Sequence, residues 1–249
     1  MMIFDSLTHV THNGKWFHTD IDASTRRLEN ELKKNKVSGA IISGTPNEND
    51  FCLSYIKNQK NKNLIFAPAL MFEDIDKLDI FTKKYAPRVL KLHPRWLKTD
   101  VENKIFQDVL GFCQDSKIIV FLCTVFDRSM SQSPTYSLAK ISKNFPDLKI
   151  VFVHGGHTNI LSIAESIRGN QNIILDLSYT LARFYDSSIG LDINYLIRNF
   201  DKRICIGTDF PEHTYADVFK ALKFLNHDLG TLNNKGILGK NLLQFIEIE

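Results

Sequence analysis

The sequence lacks the features that mark secreted, membrane-spanning and nucleic-acid-binding proteins. Its four cysteines form no CxxC pair and no regular framework, which indicates reduced thiols rather than disulfide bridges. No apolar run approaches the roughly 20 residues that a membrane span requires, and no basic region followed by an apolar stretch opens the chain. The formal net charge is only +3 and is spread over isolated lysines. We therefore predict a soluble, cytoplasmic protein with no membrane or nucleic-acid partner.

The chain also lacks a linker rich in proline, glycine or serine that would divide it. Its 249 residues, 43% of them hydrophobic and 24% charged, are enough to bury a full core. We therefore expect a single domain over residues 1–249.

Eight apolar runs typical of buried strands alternate with eight amphipathic runs typical of helices. The predicted strands are Met2–Thr8, Gly39–Ser43, Leu64–Leu70, Arg88–His93, Ile118–Thr124, Ile150–His154, Ile173–Ser178 and Ile204–Thr208. The predicted helices are Ala23–Asn35, Glu48–Asn58, Glu73–Tyr85, Val101–Asp115, Pro134–Asn144, Asn159–Ile167, Asp192–Asn199 and Tyr215–Asn226. We expect Asp22, Ser24 or Thr25 to cap the first helix and Asn47 the second, and Ser133 precedes Pro134 at the first position of the fifth. Eight such units in series predict an α/β fold, a closed parallel (β/α)8 or TIM barrel, and the alternative is an open doubly wound sheet.

Polar side chains stand at the C-terminal ends of several of these apolar strands, namely His9, Lys91, His93, His154 and Asp209. A charged or imidazole group at such a position costs desolvation energy unless it has a partner or a task. In a closed barrel the C-terminal ends of all strands meet at one mouth, where barrel enzymes carry their active sites. Closure also makes strand one the neighbour of strand eight. We therefore expect these side chains to converge, with His9 beside Asp209.

Period-two alternation refines the expectation for strand one. It places Asp5, Leu7 and His9 on one face of that strand. If this face points into the barrel, His9 faces the mouth.

Three arginines follow predicted strands four, five and seven, namely Arg95, Arg128 and Arg183. Guanidinium groups match carboxylates, so we predict that these residues bind an anionic small-molecule substrate. The alternative is that exposed loops simply tolerate arginine. Lys91 has a comparable alternative, because a buried lysine beside Asp209 is also explained as a paired structural charge.

The other histidines are expected to lie outside the site. We predict that His18, His157, His213 and His227 are exposed or associated with helices, and that His12 has a surface role. The sequence is also compatible with a homo-oligomer.

Six segments resemble motifs of the amidohydrolase-related family, in the same order and over the whole chain. They are FDSLTH, VLKLHP, NFPDLKIVFVHGGH, IILDLSYT, IGTDFP and LGKNLLQF. The resemblance implies a TIM barrel with a divalent metal at its mouth. It also implies that an HxH pair on strand one, often a His on strand five, and the strand-eight Asp hold the metal, while the strand-six His polarises the substrate.

The sequence departs from this family pattern at two positions. The HxH pair reads Leu7-Thr8-His9, and strand five carries Cys123 where the family has a histidine. A zinc site, with three protein ligands and one open position, would need His9, Asp209 and either Cys123 or His154. The alternative for Cys123 is a small buried apolar residue.

The residues and the resemblance together predict a hydrolase of a small carbonyl compound such as a lactone, ester or amide. Asp209 would be the general base, and His154 with His9 or Lys91 would stabilise the oxyanion, with or without a metal. His93 is predicted to belong to the same catalytic group. The alternatives are a decarboxylase of the same family and a non-catalytic barrel that has lost its metal site.

Overall fold

Eight parallel strands form the centre of the protein in the computed structural model, which describes residues 1–59, 63–97, 99–125, 134–200 and 202–247. The strands are β1 (Phe4–Thr8), β2 (Gly39–Ser43), β3 (Leu64–Ala67), β4 (Val89–Leu92), β5 (Ile119–Cys123), β6 (Ile150–Val153), β7 (Ile173–Asp176) and β8 (Ile204–Cys205). The helices are α1 (Thr25–Lys34), α2 (Asn49–Asn58), α3 (Leu78–Tyr85), α4 (Lys104–Asp115), α5 (Pro134–Asn144), α6 (Ile160–Ser166), α7 (Thr180–Phe184), α8 (Ser188–Asn199), α9 (Tyr215–Phe224), α10 (Leu229–Asn234) and α11 (Lys240–Phe245).

The strands are arranged in sequential order in two parallel sheets, β1-β2-β3 and β4-β5-β6-β7-β8. Single parallel bridges join the edges of these sheets, Ala69 to Lys91 and Thr8 to Phe210. The first bridge is made by the hydrogen bonds Lys91 N to Pro68 O (2.8 Å) and Leu70 N to Lys91 O (3.0 Å). The predicted TIM barrel is therefore confirmed, and the sequential strand order excludes the open doubly wound sheet.

Two apolar layers fill the fold. An inner cluster inside the strands includes Leu7, Ile41, Phe121 and Ile174, and a larger outer cluster lies between the strands and the helices. Strands covered on both faces need a nearly continuous apolar sequence, and all five residues of β5 are indeed buried. An irregularity between Asp5 and Thr8 interrupts the β1 pairing, so the strict alternation predicted for this strand does not hold along its whole length.

Several predicted boundaries differ from the observed ones. The predicted helix Glu73–Tyr85 is a 3-10 turn, Phe72–Lys77, followed by α3. The seventh helical region is longer than predicted, because α7 precedes α8. Strand β8 ends at Cys205 rather than Thr208, since Gly207 packs directly against Asp5 and Ser6, where a Cβ atom would lie 2.4 Å from Ser6 Oγ.

Helix capping follows the predicted chemistry in part. Ser24 caps α1 by accepting a hydrogen bond from Arg27 N, as expected. The residue preceding α2 is Glu48, not Asn47, and it makes no side-chain cap. In α9, Thr214 and Asp217 form a reciprocal capping box. Ser133, the predicted cap of α5, lies outside the described residues.

Among the helices described, none is long and apolar enough to cross a membrane.

Candidate active site

The five predicted strand-end side chains line one cavity of about 440 Å³, at the C-terminal end of the barrel. They come from the ends of four strands: His9 follows β1, Lys91 lies in β4 with His93 just after it, His154 follows β6 and Asp209 follows β8. The structure therefore brings His9, Lys91, His93, His154 and Asp209 together. Their catalytic roles stay a prediction.

His9 and Asp209 face each other across the β1–β8 edge. The His9 Nε2 atom lies 3.4 Å from Asp209 Oδ1, and His9 Nδ1 lies 2.9 Å from the Ser43 carbonyl oxygen. Because a carbonyl oxygen can only accept, the Nδ1 atom of His9 carries a proton. Burial alone would raise the pKa of Asp209, but the nearby His154 imidazole and the hydrogen bond from His9 lower it to about 2. Asp209 is therefore a carboxylate at neutral pH.

His154 is held in a strained turn that the double glycine permits. His154 and Asp209 both have a left-handed backbone, with φ of 67° and 55°, and such strain is typical of functional sites. Gly155 and Gly156 also have positive φ, and a Cβ atom on Gly156 would lie 2.3 Å from the Ile163 side chain.

The ring of His154 is held from two sides. Its Nδ1 atom lies 3.0 Å from the Ser178 carbonyl oxygen, so this nitrogen also carries a proton. Burial would lower the pKa of His154, but the Asp209 carboxylate and the Cys123 sulfur raise it to about 9. His154 is therefore an imidazolium at neutral pH, and it lines the cavity.

Cys123 is the last residue of β5 and is 1% exposed, and it does not line the cavity itself. Burial favours the neutral thiol, but His93 and His154 beside the sulfur hold the pKa of Cys123 well below its usual range. Burial lowers the pKa of Lys91, whereas Cys123 and Asp209 oppose that shift. The cavity floor is therefore an array of closely spaced basic groups and anions.

His93 connects this floor to the rim. Arg95 Nη2 donates to His93 Nε2 over 3.2 Å, which leaves the ring proton on Nδ1. Burial lowers the pKa of His93, although Cys123 opposes the shift. The His93 ring also stacks on Trp96, with ring centroids 4.2 Å apart.

Two buried aspartates support the site from below. Asp176 accepts hydrogen bonds from the hydroxyl groups of Ser6 and Ser178. Asp5 accepts from Thr208 Oγ1 at 2.7 Å and from the Tyr215 hydroxyl at 2.6 Å. Burial raises the pKa of Asp5 to about 6 despite these donors. We did not predict either role, although an aspartate inside an apolar run such as IILDLS is itself a signal of a buried polar network.

The three predicted substrate arginines have different positions. Arg95 lines the cavity. Arg183 lies in α7 with an exposed side chain and does not line it, and Arg128 lies outside the described residues. Of the two arginines that the structure describes, it brings Arg95 and not Arg183 to the site, and the binding role of all three residues stays a prediction.

Of the five remaining histidines, His18 is exposed, as predicted, and His227 is half-buried just after the end of α9. His12 is on the surface as expected, with a side chain 64% exposed and paired with Glu48. His157 and His213 are half-buried and lie against Tyr179, with ring centroids 5.9 and 5.3 Å away. These two are therefore closer to the cavity than predicted, because Tyr179 itself lines it.

The walls of the cavity contain residues that the sequence reasoning missed, namely Trp16, Phe17, Trp96, Val125, Tyr179 and Glu212. Both tryptophans of the chain are among them. Their closeness in sequence to His9 and Arg95 was an available signal, since large aromatic side chains in loops after barrel strands often serve as binding surfaces.

The donor groups do not fit the metal that the resemblance implies. Among the residues that the structure describes, no group of three or more histidine, cysteine, aspartate or glutamate side chains is arranged to hold a metal ion. His9 pairs with Asp209, whereas Cys123 contacts His93 and His154. Leu7, at the position of the missing HxH ligand, is fully buried in the inner apolar cluster. The predicted set of His9, Asp209 and Cys123 is thus not assembled as a metal site.

The sequence matches no family model and no curated protein. Solved structures do resemble it over its whole length. A probable 2-pyrone-4,6-dicarboxylic acid hydrolase from Acinetobacter baumannii, solved with citric acid, has a TM-score of 0.71 and 15% identity, covering 100% of both chains. An amidohydrolase from Burkholderia multivorans, solved with bound HEPES, has a TM-score of 0.75 and 12% identity, again covering 100% of both chains. A second crystal form of that amidohydrolase, with bound zinc, has a TM-score of 0.61 and 11% identity, covering 100% of both chains.

A third similar structure is a decarboxylase. It is the 5-carboxyvanillate decarboxylase of Sphingomonas paucimobilis, with a TM-score of 0.66 and 12% identity, covering 100% of this chain and 99% of that one. The barrel is therefore the one found in amidohydrolase structures, as the sequence motifs predicted. At these identities the likeness establishes the fold, and both hydrolysis and decarboxylation occur on it.

Proposed function

We propose that the protein is a hydrolase of a small carbonyl compound, such as a lactone, ester or amide, that bears a carboxylate. The observation that carries this proposal is that Asp209, which is paired with His9, and His154 line the same cavity. The lowered pKa of Asp209 and the raised pKa of His154 support an anionic base and a cationic group there. A base and a fixed cation on either side of a carbonyl group are what hydrolysis by an activated water requires.

The proposed reaction begins at the Asp209 carboxylate. Asp209 removes a proton from a water molecule as that water attacks the carbonyl carbon, and His9 holds the carboxylate in place. The negative charge that develops on the carbonyl oxygen is stabilised by His154 and Lys91. When the tetrahedral intermediate collapses, the bond from carbon to the leaving oxygen or nitrogen breaks, and the proton held by Asp209 passes to that leaving atom. No step runs through a metal, and the predicted zinc ion stays a prediction that elemental analysis of the purified protein would test.

The cationic rim supports an anionic substrate. Arg95 lines the cavity next to His93, and its guanidinium group is free to bind a carboxylate on the side facing the cavity. We propose that Arg128 and Arg183 also contact the substrate.

Decarboxylation of a carboxylated substrate is the second candidate. The same cationic floor would also stabilise the carbanion or enolate that remains when carbon dioxide leaves. A similar structure is a decarboxylase, which supports keeping this candidate.

A panel of carboxylated lactones, esters and aromatic acids separates the two candidates. Hydrolysis of a lactone releases a proton that a pH indicator detects, whereas decarboxylation releases carbon dioxide. We expect proton release by the wild type and none by Asp209→Asn. Carbon dioxide release instead would favour the second candidate. No turnover of any compound would favour a binding protein.

A further inference from the structure

Tyr179 follows the end of β7 and has a backbone conformation that tyrosine rarely adopts. Its φ is 62° and its ψ is −58°, and Thr180 N donates to Ser178 O over 2.6 Å across it. This is a γ-turn of the strained form, in which the central residue has a positive φ. Glycine adopts such a φ without steric cost, so a tyrosine at this position indicates that its side chain has a task.

The residues on either side of Tyr179 hold this turn in place. Ser178 N donates to Asp176 Oδ1 over 3.0 Å, and Thr180 Oγ1 donates to the His154 carbonyl oxygen over 2.8 Å. The Ser178 carbonyl oxygen also accepts from His154 Nδ1. The turn therefore supports His154 through backbone groups. This support does not use the tyrosine side chain, so it does not explain why a tyrosine is present.

The phenol ring of Tyr179 lines the cavity and packs against three imidazole rings. The ring centroids of His154, His157 and His213 lie 5.7, 5.9 and 5.3 Å from its own. The Tyr179 side chain is half-buried, and its hydroxyl forms no hydrogen bond with any residue that the structure describes. The packing thus fixes the ring, while its O–H group stays available to a molecule bound in the cavity.

From these observations we infer that Tyr179 is a further residue that contacts the ligand, and that its hydroxyl donates a hydrogen bond to the oxygen atom that binds at His154. The inference rests on the proposed function, in which this atom is the carbonyl oxygen of the substrate. Tyr179 would then be a second donor beside His154 for the negative charge that develops on that oxygen. The hydroxyl keeps its proton throughout, so the mechanism gains no further proton transfer.

Three substitutions at Tyr179 separate the hydroxyl, the ring and the turn. Tyr179→Phe removes only the hydroxyl. Tyr179→Gly removes the whole side chain but suits the positive φ, whereas Tyr179→Ala removes the ring and keeps the unfavourable φ. The ring contacts are lost equally in the last two variants, so the difference in their stability reports the backbone strain.

Urea unfolding of these two variants tests the argument from strain. We expect a higher urea midpoint for Tyr179→Gly than for Tyr179→Ala. Tyr195, which lies in the helix α8, is the matched control, and there the glycine variant should have the lower midpoint. A midpoint of Tyr179→Ala equal to or above that of Tyr179→Gly would overturn the inference, because the tyrosine would then need no special explanation.

Turnover of the substrate found with the panel above tests the hydroxyl itself. We expect Tyr179→Phe to lower kcat by about 100-fold and to change KM by less than about threefold, because the donor acts on charge that develops in the transition state. Tyr179→Gly should lose at least as much activity although it keeps the turn. Tyr195→Phe should change neither constant. Wild-type kcat in Tyr179→Phe or in Tyr179→Gly would overturn the inference and leave the proposed hydrolysis intact.

Binding of benzylphosphonate tests the same contact without turnover. Its charged, tetrahedral oxygens resemble those of the intermediate in carbonyl hydrolysis, and calorimetry measures its Kd. We expect the Kd to rise by at least about tenfold in Tyr179→Phe and to stay unchanged in Tyr195→Phe. If no compound in the panel is turned over, the proposed function fails and this measurement decides the role of Tyr179 by itself. An unchanged Kd in Tyr179→Phe, or no binding to the wild type, would overturn the inference.

Discussion

The wall of the barrel is held together in two different ways. Strands β4 and β5, like β5 and β6, are paired over four residues each, and their carbonyl and amide groups form a regular ladder. The edges between β1 and β8 and between β3 and β4 meet at one bridge each. His9, Asp209 and Lys91 lie at these two edges, whereas Cys123 ends the regularly paired β5 and His154 follows the regularly paired β6.

Side chains supplement the short backbone pairing at the β1–β8 edge, where Asp209 N donates to Leu7 O at 3.0 Å and His9 N donates to Phe210 O at 2.7 Å. Asp5 Oδ1 accepts from Thr208 N at 3.0 Å, and Asp5 Oδ2 accepts from Thr208 Oγ1 and from the Tyr215 hydroxyl. The main chain after β8 is then free to turn, and Asp209 takes up its left-handed conformation there. Compared with the regularly paired strands, this edge therefore has less backbone pairing and more side-chain hydrogen bonds. This arrangement places the ionised Asp209 carboxylate at the mouth of the barrel.

Asp209→Asn should give the largest effect at this edge. The substitution keeps the volume of the side chain but removes the proposed base, so we expect kcat to fall by about 10²- to 10⁴-fold. The measurement is turnover of the substrate identified above, with urea unfolding to show that the fold is kept. Asp186→Asn, at an exposed aspartate, is the control. Full activity of Asp209→Asn would remove Asp209 from the mechanism.

The charge on Asp5 should make the β1–β8 edge sensitive to pH. Because the pKa of Asp5 is raised from 3.8 to about 6 in the folded protein, the folded state binds the proton more tightly than the unfolded state. This contribution to the free energy of unfolding is fully present below pH 4 and is lost as the pH rises through 6. The loss is at most about 3 kcal/mol.

Asp5→Asn isolates this effect. The free energy of unfolding of the wild type minus that of the variant should fall between pH 4 and pH 7, as measured by urea titration at each pH. A constant difference over this range would show that Asp5 does not titrate as described.

Tyr215→Phe should weaken the same edge without changing its formal charge. The variant removes one donor to a buried carboxylate, and hydrogen bonds to charged groups contribute about 1.5–3 kcal/mol. We expect the free energy of unfolding at pH 7 to fall by about this amount. Tyr195→Phe, at an exposed tyrosine, should have no measurable effect. Equal stability of the two variants would mean that the Tyr215 hydroxyl does not support the edge.

Arg95→Met should give the smallest effect, because it lies on the exposed rim beyond the β3–β4 edge. An exposed charge contributes modestly to binding, so we expect KM for a carboxylated substrate to rise by about tenfold with little change in kcat. A neutral analogue of the same substrate should show no change in KM. A large loss of kcat would instead give Arg95 a part in the chemical step.

The sequence allowed the barrel to be predicted because its strands are buried on both faces. A strand such as β5 must be apolar throughout, and that pattern is readable without a structure. The convergence of His9 and Asp209 was also predictable, since barrel closure alone makes the first and last strands neighbours.

Other features depend on contacts that no local pattern encodes. The partnership of Cys123 with His93 and His154 arises from three different strands, and the sequence only showed that Cys123 replaced an expected histidine. The end of β8 at Cys205 follows from the close approach of Gly207 to Ser6, which is a tertiary contact. Trp16 reaches the cavity from a long loop whose path the sequence did not indicate.

The two tryptophans in the cavity wall have a further consequence for optical spectroscopy. Trp16 and Trp96 are the only indoles of the chain, and both line the same cavity. The entire tryptophan emission of the protein therefore originates at the mouth of the barrel. A ligand that displaces water from that mouth should shift or quench this emission, so the protein carries an intrinsic fluorescent reporter of occupancy that needs no label.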